Sequence, residues 1–232
     1  MEQGTMSESY DITEQELDRI EKSLLFHGIS RKDIRALLKC LMAEKRTYGK
    51  NEEVLTAGET ADSIGFVLDG TVSVEKDDYW GNRNIMAVIR QGETYAESYA
   101  CVPDAVLGVT VRSAAQTVIL EMKVSRVLTT CTSACAFHTR MIHNLLSLVA
   151  SRNLYMSDKI TFLSQRTTRE KLLSYLSAES QRAGSGTFDI PFNRQQLADY
   201  LSVDRSAMSN ELCRLRDEGI LKFDKSHFTL LL

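Results

Sequence analysis

The chain lacks any long hydrophobic run. Its longest apolar stretches are a few residues, whereas a membrane helix needs about 20, so no span is expected. The first residues, MEQGTMSESYDITEQELDRIEK, are acidic and hold no signal-peptide core, which makes a cytoplasmic protein the expectation. Proline is scarce, with two residues, the first being Pro103 in a turn. Paired cysteines are missing as well. The five present (Cys40, Cys101, Cys131, Cys135 and Cys213) are odd in number and scattered, which fits reduced thiols rather than a disulfide framework.

An excess of one charge is also absent. The 28 Lys and Arg against 31 Asp and Glu leave a net charge of −3. From Ser164 onward ten basic side chains face nine acidic ones, so that tail stands at +1 and the rest at −4. A chain this close to neutrality binds nucleic acid only through focused, repeated contacts, not through a diffuse basic field. No Ser-His-Asp, paired-carboxylate or phosphate-loop pattern occurs, and His27, His138, His143 and His227 have no recognisable partners. An enzyme is not expected.

What is present divides the 232 residues into distinct textures. Thr13 to Met42 is helical, with one stripe of Leu17, Ile20, Leu24 and Leu25 and another of Ile34, Leu37, Leu38 and Leu41. Ser30 followed by Asp33 resembles a capping box. From Lys45 to Met122 the text becomes short β-branched runs: Glu53–Leu55, Ser63–Leu68, Thr71–Glu75, Ile85–Ile89, Leu107–Val111 and Thr117–Met122. Turn signals such as Asp69-Gly70 and Gly81-Asn82 separate them, as in a closed β sandwich or barrel.

After Met122 the pattern is helical again. Ile142, Leu146, Val149, Asn153, Met156, Ile160 and Leu163 fall at alternating spacings of about four and three, a heptad seam with one polar member. Such a seam suits a dimer helix, and Asn153 within it would fix register; the alternative is a core helix with a broad apolar face. A second stripe of Leu145, Leu148 and Tyr155 suits packing on the barrel. The polar stretch Ser164–Arg169 breaks the seam and reads as a hinge.

Asn193 to Leu215 then reads as two short helices and a tight turn. Leu197, Ala198 and Leu201 line one helix; Met208, Leu212 and Leu215 line the next. Asp204 is a good N-cap. Arg205, Ser206, Ser209 and Asn210 project together on a face that no apolar residue needs, which is what a major groove accepts. Gly219–Phe223 and Phe228–Leu232 form a terminal hairpin, so the unit reads as a winged helix.

Barrel, seam helix, polar hinge and winged helix, in that order, resemble the catabolite activator and FNR-like (CRP/FNR) transcription regulators. The motifs that carry the resemblance are Gly58-Glu59, Ile64–Gly70, Gly92-Glu93 leading to Glu97, Val111-Arg112, Arg205 with Ser209-Asn210, and Leu215–Leu221. It covers about Leu24 to Leu232.

The resemblance implies an α+β chain: a cyclic-nucleotide-binding-like β-barrel (jelly roll) with N-terminal helices over 13–136, a dimerisation helix over 137–163, and a winged helix-turn-helix over 164–232. It implies a homodimer that binds double-stranded DNA at a palindrome, with RNA polymerase and a small effector as candidate partners and no resident cofactor. In such barrels a Gly-Glu pair and an Arg-Ser pair hold the cyclic nucleotide. Here those positions fall on Ala96-Glu97 and Leu107-Gly108, so cyclic AMP is disfavoured. Tyr95, Ser98 and Asn153 complete the candidate effector residues.

In the tail the resemblance gives Arg205 to guanine and Asn210 to adenine or a phosphate, with Arg194 and Arg214 as phosphate contacts; a solvated surface charge is the plain alternative for each arginine. Ser206 and Asn210 depart from the usual Glu and Arg, and Glu211 stands where an apolar residue is more usual. Cys131, Cys135, His138 and His143 read as buried thiols and ordinary histidines before they read as a metal or redox site. The rival to DNA binding is a sensor module whose winged helix contacts protein.

Overall fold

Polar caps start both N-terminal helices in the computed structural model, which describes residues 12–77, 83–128 and 136–231. Helix α1 (Glu14–Lys22) opens with a reciprocal box: the Glu16 amide donates to Thr13 Oγ1 at 3.2 Å, and the Thr13 amide donates back to the Glu16 carboxylate at 2.8 Å. Helix α2 (Arg31–Cys40) has a one-sided cap. Its Asp33 amide donates to Ser30 Oγ, and that hydroxyl donates to the Asp33 carboxylate at 2.7 Å. Leu17, Ile20, Ile34, Leu37 and Leu38 are buried as the periodicity predicts. Leu24 is not; it is 74% exposed. The helix ends at Lys22, and the Ser23 hydroxyl, donating to the Ile20 carbonyl at 2.7 Å, turns the chain before Leu24 can join the stripe.

The strands follow as β1 (Glu44–Tyr48), β2 (Glu53–Leu55), β3 (Ser63–Asp69), β4 (Thr71–Asp77), β5 (Arg83–Arg90) and β6 (Thr94–Tyr95). A single-turn helix α3 (Glu97–Ala100) precedes β7 (Thr110–Ser113) and β8 (Thr117–Lys123). They form two antiparallel four-stranded sheets, ordered β1-β8-β3-β6 and β2-β7-β4-β5. Alternation assigns the faces. Ile64, Phe66, Leu68, Leu120 and Met122 meet the helices, with the Phe66 ring edge-on to Phe26 at 6.2 Å. Val67, Ile119, Tyr48 and Tyr95 meet Val72 and Val111 of the other sheet. Because the central strand β3 is covered on both faces, Ile64–Leu68 is one uninterrupted apolar run.

The strands differ from expectation at β1, which was not expected, and at the run that begins with Leu107. β1, with sequence EKRTY, is an edge strand whose first four residues are exposed, so it carries no apolar alternation to read. The run at Leu107 becomes strand only from Thr110. Leu107 instead bridges to a loop, its amide donating to Glu59 O at 2.8 Å and its carbonyl accepting from Gly58 N at 2.9 Å. The Gly81-Asn82 turn lies outside the described residues.

Helix α4 (Val124–Leu128) leads to the 28-residue helix α5 (Ala136–Leu163). Its first half packs on the N-terminal core through Met141 and Leu145. The Asn144 amide donates to the carbonyls of Leu25 and His27 at 3.0 and 2.8 Å. Leu148 is buried too, as the second stripe requires. Tyr155 departs from it: its ring lies 6.1 Å from that of Tyr200. Along the seam, Ile142, Val149 and Leu163 are half-buried and Asn153 is exposed. Leu146, Met156 and Ile160 are 66, 53 and 65% exposed. No helix among the described residues is long and apolar enough to cross a membrane.

The chain divides into two compact units, residues 1–150 and 151–232. In the second, α6 (Thr168–Ala183), β9 (Thr187–Asp189), α7 (Arg194–Leu201), α8 (Arg205–Asp217), β10 (Leu221–Asp224) and β11 (His227–Leu230) enclose their own core. Strand β11 lies between β10 and β9 in an antiparallel sheet. This core includes Phe162, near the end of α5.

Candidate nucleic-acid interface and effector positions

The two-helix unit is built as its periodicity predicts. Asn193 and Gln196 form a reciprocal capping box that starts α7. Leu197, Ala198 and Leu201 from α7 meet Met208, Leu212 and Leu215 from α8, and all six are fully buried. The tight turn depends on Ser202, which adopts the left-handed conformation at φ 51°, one that costs a non-glycine residue about 1 kcal/mol or more. Asp204 then caps α8, its carboxylate accepting from the Ala207 amide at 2.7 Å.

On the opposite side of α8, Arg205, Ser206 and Asn210 are exposed and Ser209 is half-exposed. The four predicted residues thus share one open face at the positive end of the helix dipole, suited to a polyanion. Ser209 is partly committed already, since its hydroxyl donates to the Arg205 carbonyl at 2.8 Å. Arg214 is well exposed, 3.5 Å from Glu211.

Arg194 sits differently from an ordinary surface arginine. Its guanidinium lies 4.8 Å from the Phe223 ring centre and 5.2 Å from that of Phe228, stacked on the wing. Burial draws its pKa below the ordinary arginine value, although a guanidinium remains charged at any physiological pH. A groove of about 460 Å³ beside it is lined by Ile190, Phe192, Asn193, Lys225 and Ser226 among others. Lys225 and Ser226, at the tip of the β10–β11 hairpin, were not legible as site residues. Only the fold brings them beside Arg194.

Apart from Asn153, the effector positions lie in the first unit. Ala96, where the family pattern has glycine, is left-handed at φ 64°, just before α3. Glu97 is buried in the first turn of α3, Ser98 is exposed, and Tyr95 is buried with its ring against Gly65. Tyr48 donates to Glu121 at 2.8 Å nearby; burial, followed by that carboxylate, pushes its pKa up to about 12. Leu107 is buried and Gly108 exposed, so neither position presents a cation. Asn153 belongs to the second unit.

Cys131 and Cys135 lie outside the described residues. His138 is buried with Nε2 3.0 Å from the Val127 carbonyl oxygen, and His143 is exposed. Among the described residues no three His, Cys, Asp or Glu side chains gather as a metal site would require.

Residues 45–133 match the cyclic nucleotide-binding domain family, and residues 170–231 match the Crp-like helix-turn-helix domain family. The chain belongs to the CRP/FNR family of transcription regulators. The transcriptional activator protein FnrL of Cereibacter sphaeroides is 22% identical over 199 residues, 77% of this chain and 73% of that protein. Among solved structures, the catabolite activator protein of Thermus thermophilus is 20% identical with a TM-score of 0.51, covering 90% of this chain and 93% of that one. CprK in complex with OCPA is 13% identical with a TM-score of 0.59, covering 85% and 88%. These structural likenesses establish the fold. The family establishes a DNA-binding helix-turn-helix joined to a domain of the cyclic-nucleotide-binding class.

Proposed function

We propose that this CRP/FNR-type regulator acts as a homodimer that reads a palindromic site in duplex DNA from the cytoplasm and performs no catalysis of its own. The observation that carries the dimer is the exposure of Leu146, Met156 and Ile160 at heptad spacing along α5. Large apolar side chains repeated on one stripe of a helix cost free energy in water until a second copy covers them. Asn153, exposed on the same seam, would pair with its counterpart and set the register. Two α8 helices related by the dimer axis would enter successive major grooves about 34 Å apart. RNA polymerase is the further partner this reading calls for.

In the same reading an effector of the first unit shifts the population of two dimer arrangements, which requires different affinities for each. Cyclic AMP is not that effector. Its phosphate would meet Leu107 and Gly108 at the positions where the family pattern has Arg-Ser, so neither of these two residues supplies a cation. Sedimentation of the wild type against a Leu146→Glu/Ile160→Glu variant tests the dimer. Wild-type dimers and variant monomers are expected; a monomeric wild type at micromolar concentration would overturn the reading.

A further inference from the structure

Tyr95 is only 3% exposed, yet its hydroxyl has no hydrogen-bond partner among the described residues. A buried hydroxyl left in that state costs free energy until something pairs with it. The end of the ring lies over Gly65, where a Cβ would come within 2.4 Å of the hydroxyl oxygen. Both residues line a cleft of about 180 Å³ at one end of the sandwich, with Val54 and Leu55 of β2 on its other side. The hydroxyl therefore opens into this cleft. Burial, followed by the charge of Glu121, pushes the phenol pKa above its ordinary value, so Tyr95 stays neutral at physiological pH.

Glu121 lines the same cleft, with its side chain 18% exposed. Its Oε1 accepts from the Tyr48 hydroxyl at 2.8 Å, and its Oε2 lies 3.4 Å from Arg46 Nε. A carboxylate offers about four lone-pair sites and no proton, so Glu121 has room for a further donor and for nothing else. The mouth is different. There Lys123 Nζ donates to Asp62 at 2.7 Å and Arg46 Nη2 to Glu44 at 2.8 Å, and all four side chains are well exposed. The charged lining thus consists of two cations, Arg46 and Lys123, and two anions, Asp62 and Glu121. A ligand with a net charge would upset that balance, whereas a zwitterion meets an acceptor inside and cations outside without doing so. The cleft is also smaller than the about 300–1,000 Å³ of sites for drug-sized molecules.

We propose that this cleft binds a small amino acid as its zwitterion, the ammonium donating to Glu121 and the Tyr95 oxygen and the carboxylate turned toward Arg46 and Lys123. Ala96, Glu97, Leu107 and Gly108 do not line the cleft, so the site is separate from the cyclic-nucleotide positions. Tyr95 directly precedes Ala96 and α3, which carries occupancy of the cleft to those positions along the chain. This regulatory consequence rests on the effector reading; the binding does not.

Calorimetric titration of the full-length protein with glycine, alanine, serine and threonine in turn is the test. At least one should bind with a dissociation constant below about 1 mM. Tyr95→Phe, which removes only the hydroxyl, and Glu121→Gln should each weaken that ligand about tenfold, while Tyr95→Phe melts at the wild-type temperature. The N-acetylated form of the same amino acid, which has no ammonium, should not bind. Binding by none of the four, an unchanged affinity in Tyr95→Phe, or equal affinity for the acetylated form overturns the proposal. If Glu121→Gln fails to fold, Tyr95→Phe and the acetylated ligand decide. Failure of the DNA-binding reading would appear in the selection of DNA sites and not in this titration.

Discussion

Arg169, near the start of α6, holds its Nη1 3.0 Å from Oε1 of Glu211 in the middle of α8. The same guanidinium reaches Glu218, one end of the fork at 3.1 Å. This accounts for a carboxylate at a position more often apolar in the family. Glu211 lies in the α6–α8 contact with its side chain only 13% exposed, and Arg169 neutralises it there.

A pH dependence follows from the second carboxylate. The hydrogen bond and charge of Arg169 hold Glu218 below its ordinary 4.5, against a smaller opposing effect of burial. A carboxylate depressed in the folded state contributes stability above its unfolded value, and the contribution is lost as pH falls through the folded value. Thermal unfolding of the second unit should therefore shift down slightly as the solution is acidified below the ordinary carboxylate range, the effect being small because the pair is exposed and screened. Arg169→Ala should lower the neutral-pH midpoint and flatten that dependence. An unchanged slope in Arg169→Ala would show that other groups set it.

Ala96 stores backbone strain that glycine would relieve. At φ 64° it pays for a left-handed conformation that glycine adopts freely. Ala96→Gly should stabilise the first unit by about 1 kcal/mol, less the entropy regained by the unfolded chain. The melting transition of that unit should rise by about 2–4 °C. A fall would mean that the lost methyl group matters more than the strain.

Gly65 gives the opposite case. A Cβ there would overlap the Tyr95 ring that fills the space between the sheets. Gly65→Ala should cost about 1–3 kcal/mol through overpacking and alter the near-ultraviolet dichroism of the displaced tyrosine. A silent substitution would place the Tyr95 ring elsewhere.

These sites show which kinds of information a linear pattern holds. The α7–α8 unit was readable because caps, turn and apolar periodicity all lie within 23 consecutive residues. The β3 run was readable because a twice-covered strand is apolar throughout. β1 was hidden because an exposed edge strand need not alternate, and β6 because it is two residues long. The packing of Arg194 on Phe223 and Phe228, and the tilted ring contact of Tyr155 with Tyr200, join residues about 30 or more apart. Periodicity placed Tyr155 on a stripe without saying what would cover it. The substitution of Ala for Gly at position 96 was visible in sequence, but its strain becomes physical only with the observed φ.

Calorimetric titration with cyclic AMP and cyclic GMP checks the effector positions. Millimolar or undetectable affinity is expected with Leu107 and Gly108 in place. A submicromolar constant for either nucleotide would overturn the argument from these two positions.

Arg205 should carry base recognition. Under the DNA-binding reading, Arg205→Ala should weaken the specific complex by about 1–3 kcal/mol and relax preference at one base pair per half-site. Arg214→Ala should weaken specific and random DNA alike and reduce the salt dependence. Equal losses on both kinds of DNA for Arg205→Ala would make it a phosphate contact.

Selection of binding sites from a random duplex library, with the wild-type protein at near-physiological salt, tests whether two copies of the chain read a palindrome. Enrichment of an inverted repeat whose half-sites are centred about one helical turn apart, about 10–10.5 base pairs, is expected. Enrichment of a single asymmetric half-site, or of no sequence at all, would contradict it.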